Sequence, residues 1–120
     1  MPKFSATSTK RLKTCDDRLQ LIMSELIKEL DVMIICGHRN KEDQNKAFAM
    51  GKSKLKWPHG KHNKLPSLAV DVMPYPLDWD DIDRVKDMLS RIARIAKEHG
   101  IKLRYGRDFS FKDWNHVELA

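Results

Sequence analysis

The stretch Ser67-Leu68-Ala69-Val70-Asp71-Val72-Met73 alternates residue by residue: Leu68, Val70 and Val72 point one way, Ser67, Ala69 and Asp71 the other. This is the pattern of a strand with one apolar face for a core and one small, polar face that carries a carboxylate. The C-terminal run His116-Val117-Glu118-Leu119 divides in the same way, with His116 and Glu118 on one face and Val117 and Leu119 on the other. Laid side by side in one sheet, the two strands bring Asp71 and His116 together on their polar face.

Outward from these strands the chain alternates helix and strand. Leu19, Ile22, Leu26 and Leu30 share one face of a helix expected from about Asp16 to Leu30. Val32 to Cys36 is an apolar run of strand length, in which Cys36 reads as a core residue. Asn40 caps a second helix with Glu42 and Asp43 in its first turn and Gly51 just past its end. Lys52 to Pro66, with two prolines, two histidines and no apolar period, is a loop. Its length points to function, since ordered loops of about 12 to 15 residues in small domains usually have one. A long helix follows from about Trp79 to His99, capped by Asp78 or Asp80 and ended by Gly100, then a strand at Ile101 to Tyr105. This order predicts one α+β domain over 1–120, a small, largely antiparallel sheet with helices packed on one side. The polar start, residues 1–14, is expected to be a loosely held arm.

Composition sets the bounds on function. A third of the 120 residues are charged, but both signs are interleaved with 41% hydrophobic positions, which describes one globular core and not a disordered chain. The net charge of +6, concentrated locally at Lys52, Lys54, Lys56, Lys61 and Lys64, favours an anionic partner or a plain solvated loop. Two cysteines, Cys15 and Cys36, are too few for a disulfide scaffold. No 18-residue apolar run exists and the start lacks a secretory h-region, so the expectation is a soluble chain made in the cytoplasm.

Of the five histidines, His59, His62 and His116 stand beside acids, glycines or turns and outside apolar helical faces. A carboxylate and an imidazole on rigid strands, completed by an imidazole from a loop, make a three-ligand set. Such a set leaves a fourth tetrahedral position to water, the catalytic form of a zinc site. Taken singly, such an aspartate is more often a strand-end hydrogen-bonder and a loop histidine more often simply exposed.

At these residues the sequence resembles a known family, the zinc peptidases that include D-alanyl-D-alanine carboxypeptidases and, closer here, the L-alanyl-D-glutamate endopeptidases used as phage endolysins. The resemblance is carried by GKHNKLPSLAVDVMPYPLDWDD (Gly60 to Asp81), GIKLRYGRDF (Gly100 to Phe109) and DWNHVEL (Asp113 to Leu119), with GHRNKEDQ (Gly37 to Gln44) similar to the family's entry into its second helix. It implies the family's Hedgehog/D,D-peptidase-like fold. It also implies Zn2+ held by His62, Asp71 and His116, with Asp113 as catalytic carboxylate. Here eight residues separate His62 from Asp71 where the family often has six, which leaves His59 as a rival ligand. Asp113 is read as the general base, with orientation of His116 as its alternative and Glu118 as the better orienter. Arg39 is a candidate for a substrate carboxylate or the oxyanion, against a salt bridge to a helix acid.

The implied activity is cleavage of the L-alanyl-D-glutamate bond of peptidoglycan stem peptides by a phage or prophage endolysin. Such an enzyme waits in the host cytoplasm until holin-type release and then acts on the cell wall. The expected partner is peptidoglycan, with no nucleic acid, no stable membrane insertion and a monomeric state. A D-alanyl-D-alanine carboxypeptidase is the alternative; a non-enzymatic basic module for wall polymer or nucleic acid is the third class.

Overall fold

A computed structural model describes residues 2–53, 55, 57–110 and 112–120, so Lys54 and Lys56 of the basic run lie outside the described residues. Four strands, β1 (Val32–Cys36), β2 (Ala69–Pro74), β3 (Leu103–Tyr105) and β4 (His116–Leu119), form one sheet in the order β1-β2-β4-β3, every neighbouring pair antiparallel. The four α-helices are α1 (Ala6–Leu12), α2 (Asp17–Leu26), α3 (Lys41–Ala49) and α4 (Ile82–Glu98). The α+β class and antiparallel sheet agree with the sequence reading. Among the described residues, no helix is long and apolar enough to cross a membrane.

The core lies between the apolar face of the sheet and two helices. Val85, Met88, Leu89, Ile92, Ile95 and Ala96 make the buried stripe of α4, which packs on β2 and on α2 through Leu19, Ile22, Met23 and Leu26. Each fully buried Leu, Ile or Met side chain contributes about 1.5–3 kcal/mol, so this one layer carries most of the stabilisation. Both glycine stops expected of the helices are present. Gly51 (φ +75°) and Gly100 (φ +68°) adopt the left-handed conformation. Behind them Lys52 N–H donates to Ala47 O at 2.8 Å and Ile101 N–H to Ala96 O at 2.9 Å, the Schellman closure of the last turn.

Helix α2 ends at Leu26, short of the expected Leu30, and β3 starts at Leu103, past the expected Ile101; two further elements differ from expectation. Helix α4 starts at Ile82 with Asp81 as its cap, its carboxylate accepting from Arg84 N–H at 3.3 Å. Asp78 instead accepts from Asp80 N–H at 3.0 Å, holding the preceding turn and so withdrawn from capping. The second difference is at the N-terminus, where the expected loose arm contains α1. Ser5 caps it, and the buried Ser8 Oγ accepts from Ile34 N–H at 3.0 Å while Arg11 Nη1 donates to Ile34 O at 3.0 Å. The short helix thereby satisfies both backbone groups of Ile34 on the outer edge of β1, where an open strand would otherwise invite a second chain.

The segment between α1 and α2 aligns β2. Asp16 N–H donates to Ser67 O at 2.9 Å and Ser67 N–H to Thr14 O at 2.8 Å, so the chain enters β2 with its register set. At the other end of the site, a 3-10 turn (Gly106–Asp108) crosses beneath Asp113, whose N–H donates to Gly106 O at 2.9 Å. A Cβ at Gly106 would press into the Asp113 carbonyl oxygen and stand 2.8 Å from the Cβ of His116.

Two stability predictions follow from these contacts. Ser8→Ala orphans the buried Ile34 N–H and should lower the unfolding free energy by about 1–3 kcal/mol in urea melts. Gly106→Ala should cost a similar amount by overpacking, about 1–3 kcal/mol, and should also displace Asp113 and His116. For that second variant activity should fall further than the lost stability accounts for, as read by assay well below its melting temperature.

Candidate metal centre and its cleft

The pairing of β2 with β4 sets Asp71 directly opposite His116 and Ala69 opposite Glu118. Directly opposed residues of an antiparallel pair project to one face, so the polar face read from the sequence is real and is assembled by backbone register. The third member comes from the long loop. A 3-10 turn (Lys61–Asn63) carries His62 into the same place, and Arg39 N–H donates to His62 O at 2.7 Å to tie that turn to the start of α3.

The resulting geometry is a triangle of donor atoms. His62 Nε2 lies 3.1 Å from Asp71 Oδ1, His116 Nδ1 lies 3.2 Å from the same oxygen, and the two ring nitrogens are 3.3 Å apart. Ligands held about 2.0–2.1 Å from a tetrahedral ion stand about 3.3 Å from one another, so these spacings are those of three corners around one cation. The outer ring nitrogens agree. His62 Nδ1–H donates to Gly37 O at 2.7 Å, and His116 Nε2–H donates to Glu118 Oε1 at 2.8 Å. Each bond fixes the tautomer that turns a bare lone pair inward, as metal-binding histidines require. In these tautomers two lone pairs face each other across 3.3 Å, an arrangement that a proton or a metal ion between them relieves.

The electrostatics express the same demand. Burial opposes charge on His62, but the Asp71 carboxylate beside it prevails and raises the imidazole to about 10. Burial likewise opposes charge on Asp71, and His62 and His116 together hold its carboxyl well below the usual range. Burial and the neighbouring Asp71 push the Asp113 carboxyl up. One of its oxygens lies within 4.8 Å of donor atoms of Asp71 and His116, which places its carboxyl beside the triangle.

Other residues are placed less closely. Arg39 reaches the edge of the triangle, with Nη2 3.6 Å from Asp71 Oδ2 and Nη1 donating to Gln44 Oε1 at 3.1 Å. Its acid partner is thus Asp71 and not a helix acid. His59 is exposed on the rim of the cleft and stands outside the donor triangle. Glu118 is buried, oriented by His116 and paired with Lys61 at 3.2 Å.

Two contributors escaped the sequence reading. Cys36, read as a core residue, lies with a ligand atom within 4.8 Å of donors on His62 and Asp71. An extra residue in β1 between Ile34 and Cys36 shifts the register so that Cys36 opposes Asp71. Strict alternation would have sent it to the core; the bulge re-aims it. Gln44 is fully buried and accepts from both Arg39 and Asn63 Nδ2, the latter at 3.1 Å, joining α3 to the loop of His62. Its only sequence signal was its place in the GHRNKEDQ run.

The triangle forms the floor of a cleft of about 1180 Å³, walled by Arg39, Lys61, Trp79, Arg104, Phe109 and Asp113. That is room for a peptide segment with its flanking groups.

Comparison with known proteins agrees with this geometry. Residues 1–119 match the sequence model of the family described as phage L-alanyl-D-glutamate peptidase. The chain is similar to the L-alanyl-D-glutamate peptidase of Escherichia phage T5, at 30% identity over 122 residues, covering 98% of this chain and 88% of that one. In fold it resembles the crystal structure of the Serratia marcescens L-Ala D-Glu endopeptidase ChiX, with a TM-score of 0.83 at 22% identity, over 98% of this chain and 90% of that one. The chain belongs to the phage L-alanyl-D-glutamate peptidase family.

Proposed function

We propose that this chain is a zinc-dependent peptidoglycan endopeptidase that hydrolyses the L-alanyl-D-glutamate bond of stem peptides, with His62, Asp71 and His116 as the zinc ligands. The observation that carries the metal is the triangle of inward-facing donors with edges of 3.1, 3.2 and 3.3 Å, each histidine locked by a hydrogen bond on its outer nitrogen. Family membership carries the bond that is cut. Two imidazoles and one carboxylate suit zinc, and three protein ligands suit a catalytic site in place of a structural one.

When bound there, zinc supplies Lewis acidity, lowering the pKa of water towards neutrality and polarising an amide carbonyl. The protein's own groups supply the rest. Asp113 takes the proton of the attacking water and returns it to the departing glutamate nitrogen, so that both halves of amide hydrolysis are covered. Arg39, poised over Asp71 Oδ2 and steadied by Gln44, offers its guanidinium to the oxygen that becomes negative. Glu118 orients His116, leaving Asp113 free for proton transfer.

The setting follows from the activity. Peptidoglycan is the substrate and the cell wall the place of action; we infer release from the host cytoplasm by a holin-type opening, and a monomeric state. The positive charge of the chain speeds encounter with an anionic envelope.

Digestion of purified peptidoglycan, followed by mass spectrometry of the fragments, tests the reading. New N-termini on D-glutamate are expected, abolished by a chelator and restored by zinc. Loss of terminal D-alanine would instead indicate a carboxypeptidase, and salt-sensitive wall binding that survives chelation without cleavage would indicate a binding module. Asp113→Ala should lower kcat by about 10²- to 10⁴-fold while the zinc content measured by mass spectrometry stays at one ion per chain. Loss of zinc from that variant would reassign Asp113 to holding the metal site.

A further inference from the structure

The cations around the cleft are unequally engaged. Arg39 is held by Gln44 Oε1 and Asp71 Oδ2. Lys61 is held by Glu118 Oε2 at 3.2 Å and by the carbonyl of Leu119. Arg104 differs from both. It lies on β3 directly opposite Glu118 of β4, and Glu118 shares its face with His116, so the Arg104 side chain projects from the face that carries the metal ligands. Its guanidinium rests over the Phe109 ring at 5.6 Å, and that ring in turn lies 5.6 Å from the His116 imidazole.

Among the described residues, the acid facing Arg104 is Glu118, at 3.7 Å, beyond hydrogen-bond length. Glu118 already has Lys61 for charge balance and His116 for its other oxygen. The Arg104 side chain is 60% exposed against 8% for Glu118, so its N–H groups face the cleft. Asp108, another acid lining the cleft, has Arg107 at 3.8 Å. Among the described residues Arg104 is therefore the cleft arginine with a single, shared ion-pair partner and no side-chain hydrogen bond, stacked in place near His116 with its guanidinium fork open to the cleft.

The substrate supplies the complement, given the endopeptidase reading on which this inference rests. In a stem peptide the chain continues through the γ-carboxyl of D-glutamate, so the α-carboxylate stays on the carbon that bears the scissile nitrogen. Any cation that recognises it must stand a few ångströms from the metal ligands. A residue diagonal to His116 across β3 and β4 has its Cα about 7–8 Å away, within the reach of an arginine side chain. We propose that Arg104 is the specificity-determining residue for this carboxylate, gripping it as a guanidinium fork grips any planar anion.

Two synthetic peptides that share the L-alanyl-γ-D-glutamyl-L-lysyl sequence test this, one with the free α-carboxylate and one with the carboxamide. The wild type should cleave the carboxylate with kcat/KM about 10- to 100-fold higher. Arg104→Gln should erase that preference by losing on the carboxylate and leaving the carboxamide within about twofold; Arg104→Lys should restore part of it. Calorimetry should show the product γ-D-glutamyl-L-lysine binding the zinc-loaded wild type more tightly than zinc-loaded R104Q. Equal losses on both peptides, or a preference unchanged in R104Q, would overturn the assignment and leave the endopeptidase standing. A wild type that cleaves neither peptide would remove the endopeptidase reading and this inference together.

Discussion

The register of β2 against β4 is the constraint on which the rest of the structure depends. It sets Asp71 opposite His116, and a slip of one residue would turn one of the two side chains into the core and bring a valine into the site. The slip is opposed from two directions. Val70, Val72, Val117 and Leu119 gain their burial only in the observed register. Ser67, joined by backbone hydrogen bonds to Thr14 and Asp16, starts β2 at one position. The same burial that stabilises the domain thus holds two of the proposed ligands at rest in their working geometry.

The third corner is built differently, and its support spans the sequence. His62 belongs to an irregular loop, which by itself would hold an imidazole loosely. It is gripped through Gly37 O and Arg39 N–H, from the segment between β1 and α3, and through the contact of Gln44 in α3 with Asn63. Gly37 can lie this close to α1 and the turn after it only because it lacks a Cβ, which would stand 2.4 Å from Arg11 O and Thr14 Oγ1. The N-terminal helix, the bulged end of β1 and the start of α3 therefore form one support for a single histidine. A cation suits the centre because a buried carboxylate oxygen and two ring nitrogens converge there within 3.1 to 3.3 Å of one another.

What could be read from the sequence, and what could not, divides along physical lines. Alternation in Ser67 to Met73 and His116 to Leu119 exposed both strands and their polar face, because a period of two is a local property. Asn40, Gly51 and Gly100 announced helix ends for the same reason. The fold class and the family were readable through the GKH, AVD and HVEL runs. Helix α1 was missed because its seven residues show little apolar period; its stability comes from Ser8 and Arg11 bonding Ile34, far along the chain. Cys36 was misplaced because the β1 bulge is visible only once Asp71 lies opposite. Arg104 drew no notice among the chain's basic residues, since its distinction, sharing Glu118 with Lys61 while most of its side chain stays exposed, exists only in the folded sheet.

The central claim is that residues far apart in sequence converge on one ion and leave one corner open to solvent. The most direct measurement is a crystal structure of the zinc-loaded protein with anomalous data collected at the zinc edge. The account predicts one ion about 2.0–2.2 Å from His62 Nε2, Asp71 Oδ1 and His116 Nδ1, its fourth position facing Asp113 and the cleft. An ion ligated by His59, or closed off by the Cys36 thiolate as a fourth protein ligand, would contradict it.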